Sequence, residues 1–412
     1  MKNVPNLRFK EFSSEWESGK LGQYISNKGG TALEKYVEDE GTHNFISIGN
    51  YSVDGNYIDT GQRINLNDKT QEKLLNKNDL VMVLNDKTAS GDLIGSTILI
   101  DEDNKYIYNQ RSERLICNSA ISPDFCWVLL NSKMFRRKVF SIAQGGTQIY
   151  VNFSNVKNLQ ILLPSLNEQK KIASFFSLID KKIELQTEKV EELTNYKKGI
   201  MQKIFSQELR FKDENGNEYP EWKIGRLGEY LSNKGGTALE KYVEDEGTHN
   251  FISIGNYSVD GNYIDTGQRI NLNDKTQEKL LNKNDLVMVL NDKTASGDLI
   301  GSTILIDEDN KYIYNQRSER LICNSAISPD FCWVLLNSKM FRKKVFSIAQ
   351  GGTQIYVNFS SVKNLEIELP HLKEQEKIAH FIFNLNTKLN KEQEKLDMLL
   401  TYKKGLLQQM FI

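Results

Sequence analysis

The sequence predicts an α+β fold made of two copies of one globular domain, related by a pseudo-two-fold and joined by two long antiparallel coiled-coil helices. Three observations predict it. Aligning the 412 residues with themselves at an offset of 206 pairs Ser26–Ser154 with Ser232–Ser360, and within this block only Arg137 against Lys343 differs. The segments that follow, Asn167–Gln207 and Lys373–Ile412, share a pattern but only some residues. Inside the block, short apolar runs are punctuated by Gly, Asn and Asp, as strands and turns are.

The chain is longer than one hydrophobic core usually serves, so two domains are expected on length alone. A hydrophobic content of 39%, a charged content of 26% and only 6 prolines describe a folded chain without long disordered linkers. No run of about 18 apolar residues is present, and Met1–Lys10 lacks the apolar centre of a signal peptide, so a cytoplasmic protein with no membrane role is expected. Cys117 and Cys126 recur as Cys323 and Cys332 at a spacing that fits neither a CxxC redox pair nor a zinc site. They read as small buried thiols of a reduced compartment. His43 and His249 are one repeated position, and with His371 and His380 they make no metal set.

The diverged segments read as long helices. Ile172, Phe176, Ile179, Ile183, Val190, Leu193, Ile200 and Ile204 follow steps of three and four, with Gln186 and Lys197 at the two polar seam positions. The second copy repeats the phase with Ile378, Ile382, Leu385, Leu389, Leu396, Leu399, Leu406 and Met410, and Glu392 and Lys403 are its polar positions. Pro164 and Pro370 stand just upstream, where a helix tolerates proline best. About 40 residues at 1.5 Å each make roughly 60 Å. A heptad seam this long predicts helix pairing, and a chain that leaves one domain and returns from the other predicts the antiparallel sense.

Within the block, Asn44–Gly49, Asp79–Leu84, Ser96–Ile100 and Arg114–Cys117 read as strands, and Phe125–Val139 as a helix. Five polar loops remain: Asn27–Thr31, Gly49–Gly55, Asn85–Gly91, Asn109–Arg111 and Gln144–Tyr150. The glycines of the first and last suit positive φ or close backbone approach.

Catalytic apparatus is missing from the sequence. There is no GxxxxGK[ST] loop, no GxGxxG after a strand, no HExxH, no GxSxG and no NPPY-like motif. The loops instead carry Asn, Gln, Arg, Lys, Ser and Thr interleaved with Tyr, the residues that read base edges. A net charge of −1 is low for a nucleic-acid binder. Either the basic groups gather on one face or a partner supplies much of the phosphate contact.

Each repeat opens on a Trp and a KLG-like element, Trp16 with Lys20-Leu21-Gly22 and Trp222 with Arg226-Leu227-Gly228. Each block closes on GGTQ, and then comes Leu163-Pro164-Ser165-Leu166-Asn167-Glu168-Gln169-Lys170-Lys171-Ile172-Ala173. Its counterpart is Leu369-Pro370-His371-Leu372-Lys373-Glu374-Gln375-Glu376-Lys377-Ile378-Ala379. The chain therefore resembles the specificity subunit of type I restriction-modification systems, whose domains end in P-x-L-x-E-Q-x-K-I-A before a long helix. The resemblance implies two target-recognition domains, 1–165 and 208–371, and two spacer helices, 166–207 and 372–412. It further implies a sequence-specific, non-catalytic DNA-binding subunit. The implied partners are double-stranded DNA, two methyltransferase subunits and two restriction subunits. No cofactor is expected in this chain, and S-adenosylmethionine, ATP and Mg would belong to the partners.

Candidate base-contacting residues are Lys28, Thr31, Asn50, Tyr51, Lys87, Thr88, Ser90, Asn109, Gln110, Arg111, Thr147, Gln148 and Tyr150. Their equivalents are Lys234, Thr237, Asn256, Tyr257, Lys293, Thr294, Ser296, Asn315, Gln316, Arg317, Thr353, Gln354 and Tyr356. Loop capping is the competing role for each. Typical members carry two dissimilar domains, whereas this chain carries one domain twice. Identical readers about a two-fold predict an interrupted palindrome, one half-site in inverted repeat, with centres roughly 34–36 Å apart. The alternatives are a DNA-independent interaction scaffold and a compact nuclease of unfamiliar type.

Overall fold

A computed structural model describes residues 4–411. Met1, Lys2, Asn3 and Ile412, which fall at the outer limits of the first domain and the second helix, lie outside the described residues. The chain folds as two compact units, Met1–Glu188 with Glu394–Ile412, and Lys189–Gln393. Compactness thus divides the chain within both long helices. Each unit comprises one globular module, the head of the helix that follows it and the tail of the other helix.

In the first unit an antiparallel sheet runs in the order Ile25–Gly29, Ser112–Cys117, Leu80–Val83, Thr97–Leu99. The run Leu-Val-Met-Val at its centre is buried throughout. Alternation explains this, because successive side chains leave a strand on opposite faces. Leu80 and Met82 enter the main core with Leu115, Phe125, Leu129, Phe135 and Val139. Val81 and Val83 enter a second core with Ile46, Tyr51, Ile98 and Tyr108. A smaller sheet, ordered Val37–Glu38, Arg63–Ile64, His43–Ile46, Tyr106–Tyr108, ends in a parallel pair.

The segment 125–139, expected as one helix, is two: α1 (Pro123–Asn131) and α2 (Lys133–Ser141). Ser132 divides them. Its extended backbone ends α1, while its hydroxyl accepts the Phe135 amide proton at 3.2 Å and starts α2. The run 44–49 is likewise shorter as a strand, His43–Ile46, and gives way to a 3-10 turn at Ile48–Asn50. A short helix α3 (Phe153–Val156) and the strand Gln160–Leu163 lead into α4 (Leu166–Phe205).

The second unit repeats this arrangement, with α5 (Pro329–Leu336), α6 (Lys339–Ser347), α7 (Phe359–Val362) and α8 (Leu372–Met410). Its main sheet runs Leu231–Gly235, Ser318–Cys323, Leu286–Val289, Thr303–Leu305.

The E-Q junction is a lock between module and helix. Glu168 is fully buried and takes both prongs of Arg8, Nε and Nη2 each at 2.7 Å, and the Trp16 indole N–H at 3.3 Å. Gln169 accepts the Ser122 amide proton at 2.9 Å and donates to the carbonyls of Ala120 and Pro164. Arg210, Trp222, Glu374 and Gln375 build the same lock in the second unit. A buried carboxylate is tolerable only when its lone pairs are filled this way, and the fork of Arg suits it.

The seam residues expected from periodicity are on the inner face within each unit. In the first, Ile172 and Phe176 of α4 share a core with Leu406, Met410 and Phe411, and Lys403 Nζ reaches Asp180 at 2.5 Å. In the second, Ile204 and Phe205 share a core with Ile378 and Ile382, and Lys189 reaches Glu392 at 3.0 Å. The head of one helix therefore lies with the tail of the other, an antiparallel arrangement within each unit. Two of the four polar seam positions, Lys403 and Glu392, are ion-paired.

Candidate nucleic-acid interface

Four of the five loops form one contiguous edge of the module. Thr31 bridges Asn109, Arg111 Nη1 donates to Asn85 Oδ1 at 2.7 Å, and Asn85 pairs with Tyr150 across a two-residue ladder. Tyr150 in turn bridges Gln144. At two glycines these turns leave no room for a side chain. A Cβ on Gly30 would meet the Asn109 carbonyl oxygen at 1.9 Å, and Gly145, at φ +108°, would meet that of Gln148 at 1.9 Å.

Along this edge Lys28, Thr31, Lys87, Thr88, Ser90, Gln110, Thr147, Gln148 and Tyr150 are exposed, and Arg111 is half-buried. Asn27–Gly29 belongs to the edge strand of the main sheet rather than to a loop. Lys28 Nζ touches the Glu72 carbonyl at 3.1 Å, and Gln110 donates to Glu34 at 3.1 Å. Burial pushes the Glu34 carboxyl up, but hydrogen bonds from Asn109 and Gln110 and the charge of Arg111 hold it below its ordinary value. Thr88 and Ser90 wrap the buried Asp86, which accepts the amide protons of Thr88 and Leu93 and the Thr88 hydroxyl proton. The second module carries Lys234, Thr237, Lys293, Thr294, Ser296, Gln316, Arg317, Thr353, Gln354 and Tyr356 in the same exposure classes.

Three candidates in each module have side chains taken up internally. Asn50 is fully buried, accepting from Ser47 and donating to the Ile58 carbonyl and the Thr60 hydroxyl. Tyr51 is 4% exposed and donates to Ser112 at 2.8 Å. Asn109 is 3% exposed and accepts the Leu33 amide proton at 3.1 Å. Asn256, Tyr257 and Asn315 repeat these roles. They share the residue types that read bases, but here the backbone uses them.

The fifth loop, Gly49–Gly55, is fastened to the helices. Gly55 accepts from the Trp127 indole at 3.1 Å, and Val53 from Arg136 Nη1 at 2.9 Å. Arg136 also donates to the carbonyls of Asp92 at 2.5 Å and Ile94 at 2.7 Å. One guanidinium thus ties Gly49–Gly55 to the segment that follows Asn85–Gly91, and Arg342 does the same in the second module. Sequence reading passed over this arginine because a basic residue on a short helix reads as solvated surface. Its signal was its place one residue after a buried Phe, on the α2 face that packs inward.

The cysteines are free thiols, Cys126 fully buried and Cys117 half-buried. A hydrogen bond to Cys117 and burial both push the Cys126 thiol up. Among the described residues no cluster of His, Cys, Asp and Glu could hold a metal ion, and no helix is long and apolar enough to cross a membrane.

Residues 13–195 and 219–399 match the family described as type I restriction modification DNA specificity domain. The chain is similar to the type I restriction enzyme MjaVIII specificity subunit of Methanocaldococcus jannaschii, 26% identical over 410 residues, covering 96% of this chain and 92% of that protein. It is also similar to the StySPI specificity subunit of Salmonella potsdam, 21% identical over 278 residues, covering 64% and 58%. Among solved structures it shares the fold of a type I restriction-modification S subunit from M. genitalium, with TM-score 0.63, 18% identity and 99% of both chains covered. A structure described for complex assembly and conformational transition of the type I system aligns with TM-score 0.58, at 14% identity, over 95% and 96% of the chains. Two matching domains, each locked to its helix through a buried Glu-Gln pair, make this chain a member of the type I restriction-modification DNA specificity family.

Proposed function

We propose that residues 1–165 and 208–371 are target-recognition domains that read one half-site twice, in inverted repeat, and that 166–207 and 372–412 are the spacers between them. The observation that carries this reading is the identity of Ser26–Ser154 with Ser232–Ser360 apart from one exposed position, Arg137 against Lys343. Two surfaces of the same chemistry read the same bases. The base-contacting set is narrowed to the exposed edge: Lys28, Thr31, Lys87, Thr88, Ser90, Gln110, Arg111, Thr147, Gln148 and Tyr150, with their counterparts in the second module. Arg111 is the specifying contact with the largest reach, because a guanidinium offers guanine two parallel hydrogen bonds.

The chain works as an adaptor without catalysis of its own. It sets two methyltransferase subunits, which carry S-adenosylmethionine, and two restriction subunits, which use ATP and Mg, on a bipartite target in the cytoplasm. Partners that close on the DNA share the phosphate contacts, which accords with a net charge of −1. The test is to map methylated sites in cells that express this chain with its methyltransferase. The reading expects a motif whose two halves are reverse complements around a nonspecific gap; two unrelated halves contradict it.

A further inference from the structure

One charged side chain in each module is buried where the candidate edge begins. Lys69, Lys73 and Lys77 follow one another at steps of four, and the first and last are exposed, but Lys73 is only 5% exposed. It closes the 3-10 turn Gln71–Lys73, and its Nζ donates to the Gly29 carbonyl at 2.6 Å. The ammonium also lies over the Tyr108 ring, 5.7 Å from its centroid. Tyr108 is itself fully buried and donates its hydroxyl proton to the Lys28 carbonyl at 3.0 Å. Lys279 and Tyr314 repeat both hydrogen bonds, on Gly235 at 2.5 Å and on Lys234 at 3.0 Å.

The two donors grip consecutive carbonyls at the end of the edge strand, where the chain turns toward Thr31. Asn109 holds the turn from the other side, through the close approach of Gly30 to its carbonyl and the bridge to Thr31. Gly29 and Gly30 have no side chain to restrict their backbone, so the groups around them set its course. The Lys28 side chain lies across the same turn, with Nζ on the Glu72 carbonyl at 3.1 Å, so strand and turn exchange lysines, one exposed and one buried. Burial lowers the Lys73 pKa, as does the charge of Lys28, while the charges of Glu72 and Glu113 oppose the shift. For stability alone an apolar side chain of similar length would serve as well as a strongly hydrated ammonium set on a neutral carbonyl. What the ammonium adds is a fixed direction for the Gly29 carbonyl, and with it the placement of Lys28 and Thr31 on either side.

We propose that Lys73 and Lys279 are positioning residues for base reading: each holds its Gly-Gly turn so that Lys28 and Thr31, or Lys234 and Thr237, meet the DNA, and touches no DNA itself. This role rests on the target-recognition reading above. It places a determinant of specificity 44 residues along the chain from the turn it controls, inside the module rather than on its edge.

The test uses the full chain assembled with its methyltransferase subunit. Competition binding compares a duplex that carries the mapped methylation motif with duplexes in which each base pair is changed in turn. A turn variant, Lys28→Ala and Thr31→Ala with Lys234→Ala and Thr237→Ala, first identifies the base pairs that the turn reads. Lys73→Met with Lys279→Met should relax those same base pairs about ten-fold, leave the others as they are, and add no further loss to the turn variant. The slope of log affinity against log salt should stay as in the wild type. Tyr108→Phe with Tyr314→Phe keeps the ring and removes only the hydroxyl, and should relax the same base pairs about three-fold. This pair alone decides if the methionine pair fails to fold. Equal loss at every base pair, no loss at any, or a loss that adds to that of the turn variant overturns the proposal. So does a salt slope lowered by about one per half-site, which would make Lys73 a phosphate contact. A turn variant that relaxes no base pair, while Arg111→Ala with Arg317→Ala does, overturns it as well. If neither of those two variants changes discrimination anywhere, the target-recognition reading of the edge itself is overturned.

Discussion

The reading modules and the helices that follow them are two regions of one repeat, yet they are alike to very different degrees. The modules agree at every position of Ser26–Ser154 but one, whereas at the helix heads Ser177 stands against Phe383, Leu178 against Asn384 and Lys170 against Glu376. The difference follows from what each region touches. A module edge meets only DNA in the proposed assembly, and one target half-site demands one surface. A helix meets its own module and the other helix, and in the proposed assembly the partner subunits as well, so its residues answer to several neighbours at once.

The strongest way to probe this comparison is at the lock, where module and helix join. Glu168→Gln removes the charge that Arg8 is paired with, and losing one partner of a buried pair should cost about 3 kcal/mol, the lower end of the usual range because Arg8 keeps a partly exposed edge (12% of its side chain). Thermal unfolding should then split, with the first unit melting earlier than the second. A single, uniformly lowered transition would mean that the two units do not unfold separately.

Next in size is the proposed specifying contact. Arg111→Ala with Arg317→Ala should cost about 1–3 kcal/mol per half-site in discrimination between cognate and altered DNA. Each single variant should relax one half of the target by the same amount. Competition binding measures this, and unequal losses would separate modules that the sequence makes identical.

A somewhat smaller loss is expected from the loop clamp. Arg136→Met with Arg342→Met leaves three carbonyls per module without their donor, and discrimination should fall about ten-fold as the loops loosen. The slope of log affinity against log salt should stay unchanged, since no phosphate contact is removed. A changed slope would make the arginine itself a backbone contact. The smallest effect belongs to Arg137→Lys, which erases the last difference between the blocks at an exposed position and should shift stability and affinity by less than about 0.5 kcal/mol.

Much of this architecture was legible in the residues because it rests on periodicity. The long helices announce themselves by steps of three and four, and Leu80–Val83 by an unbroken apolar run. The edge strand Ile25–Gly29 was not legible: four of its five residues are exposed, three of them polar and the fourth a glycine, so it carries no apolar alternation. The division of 125–139 at Ser132 was hidden because one capping serine looks like any other helical serine until its hydroxyl is seen on the Phe135 amide.

The candidate edge was legible as a set of loops but not as a set of side chains. Asn50 and Gln110 belong to similar residue types in similar turns. One is closed on Ser47, Ile58 and Thr60, and the other is exposed. Only three-dimensional placement separates a buried capping amide from an exposed one. The stack of Phe383 on Trp333 was illegible for a related reason, since the two rings stand on different elements and meet only in the folded unit.

The most direct test of the central claim is selection of bound DNA by the assembled complex from a library with both half-sites randomised independently. Identical modules predict that the two selected halves converge on one sequence in inverted repeat, with equal information content in each. Convergence on two unrelated sequences would contradict the account.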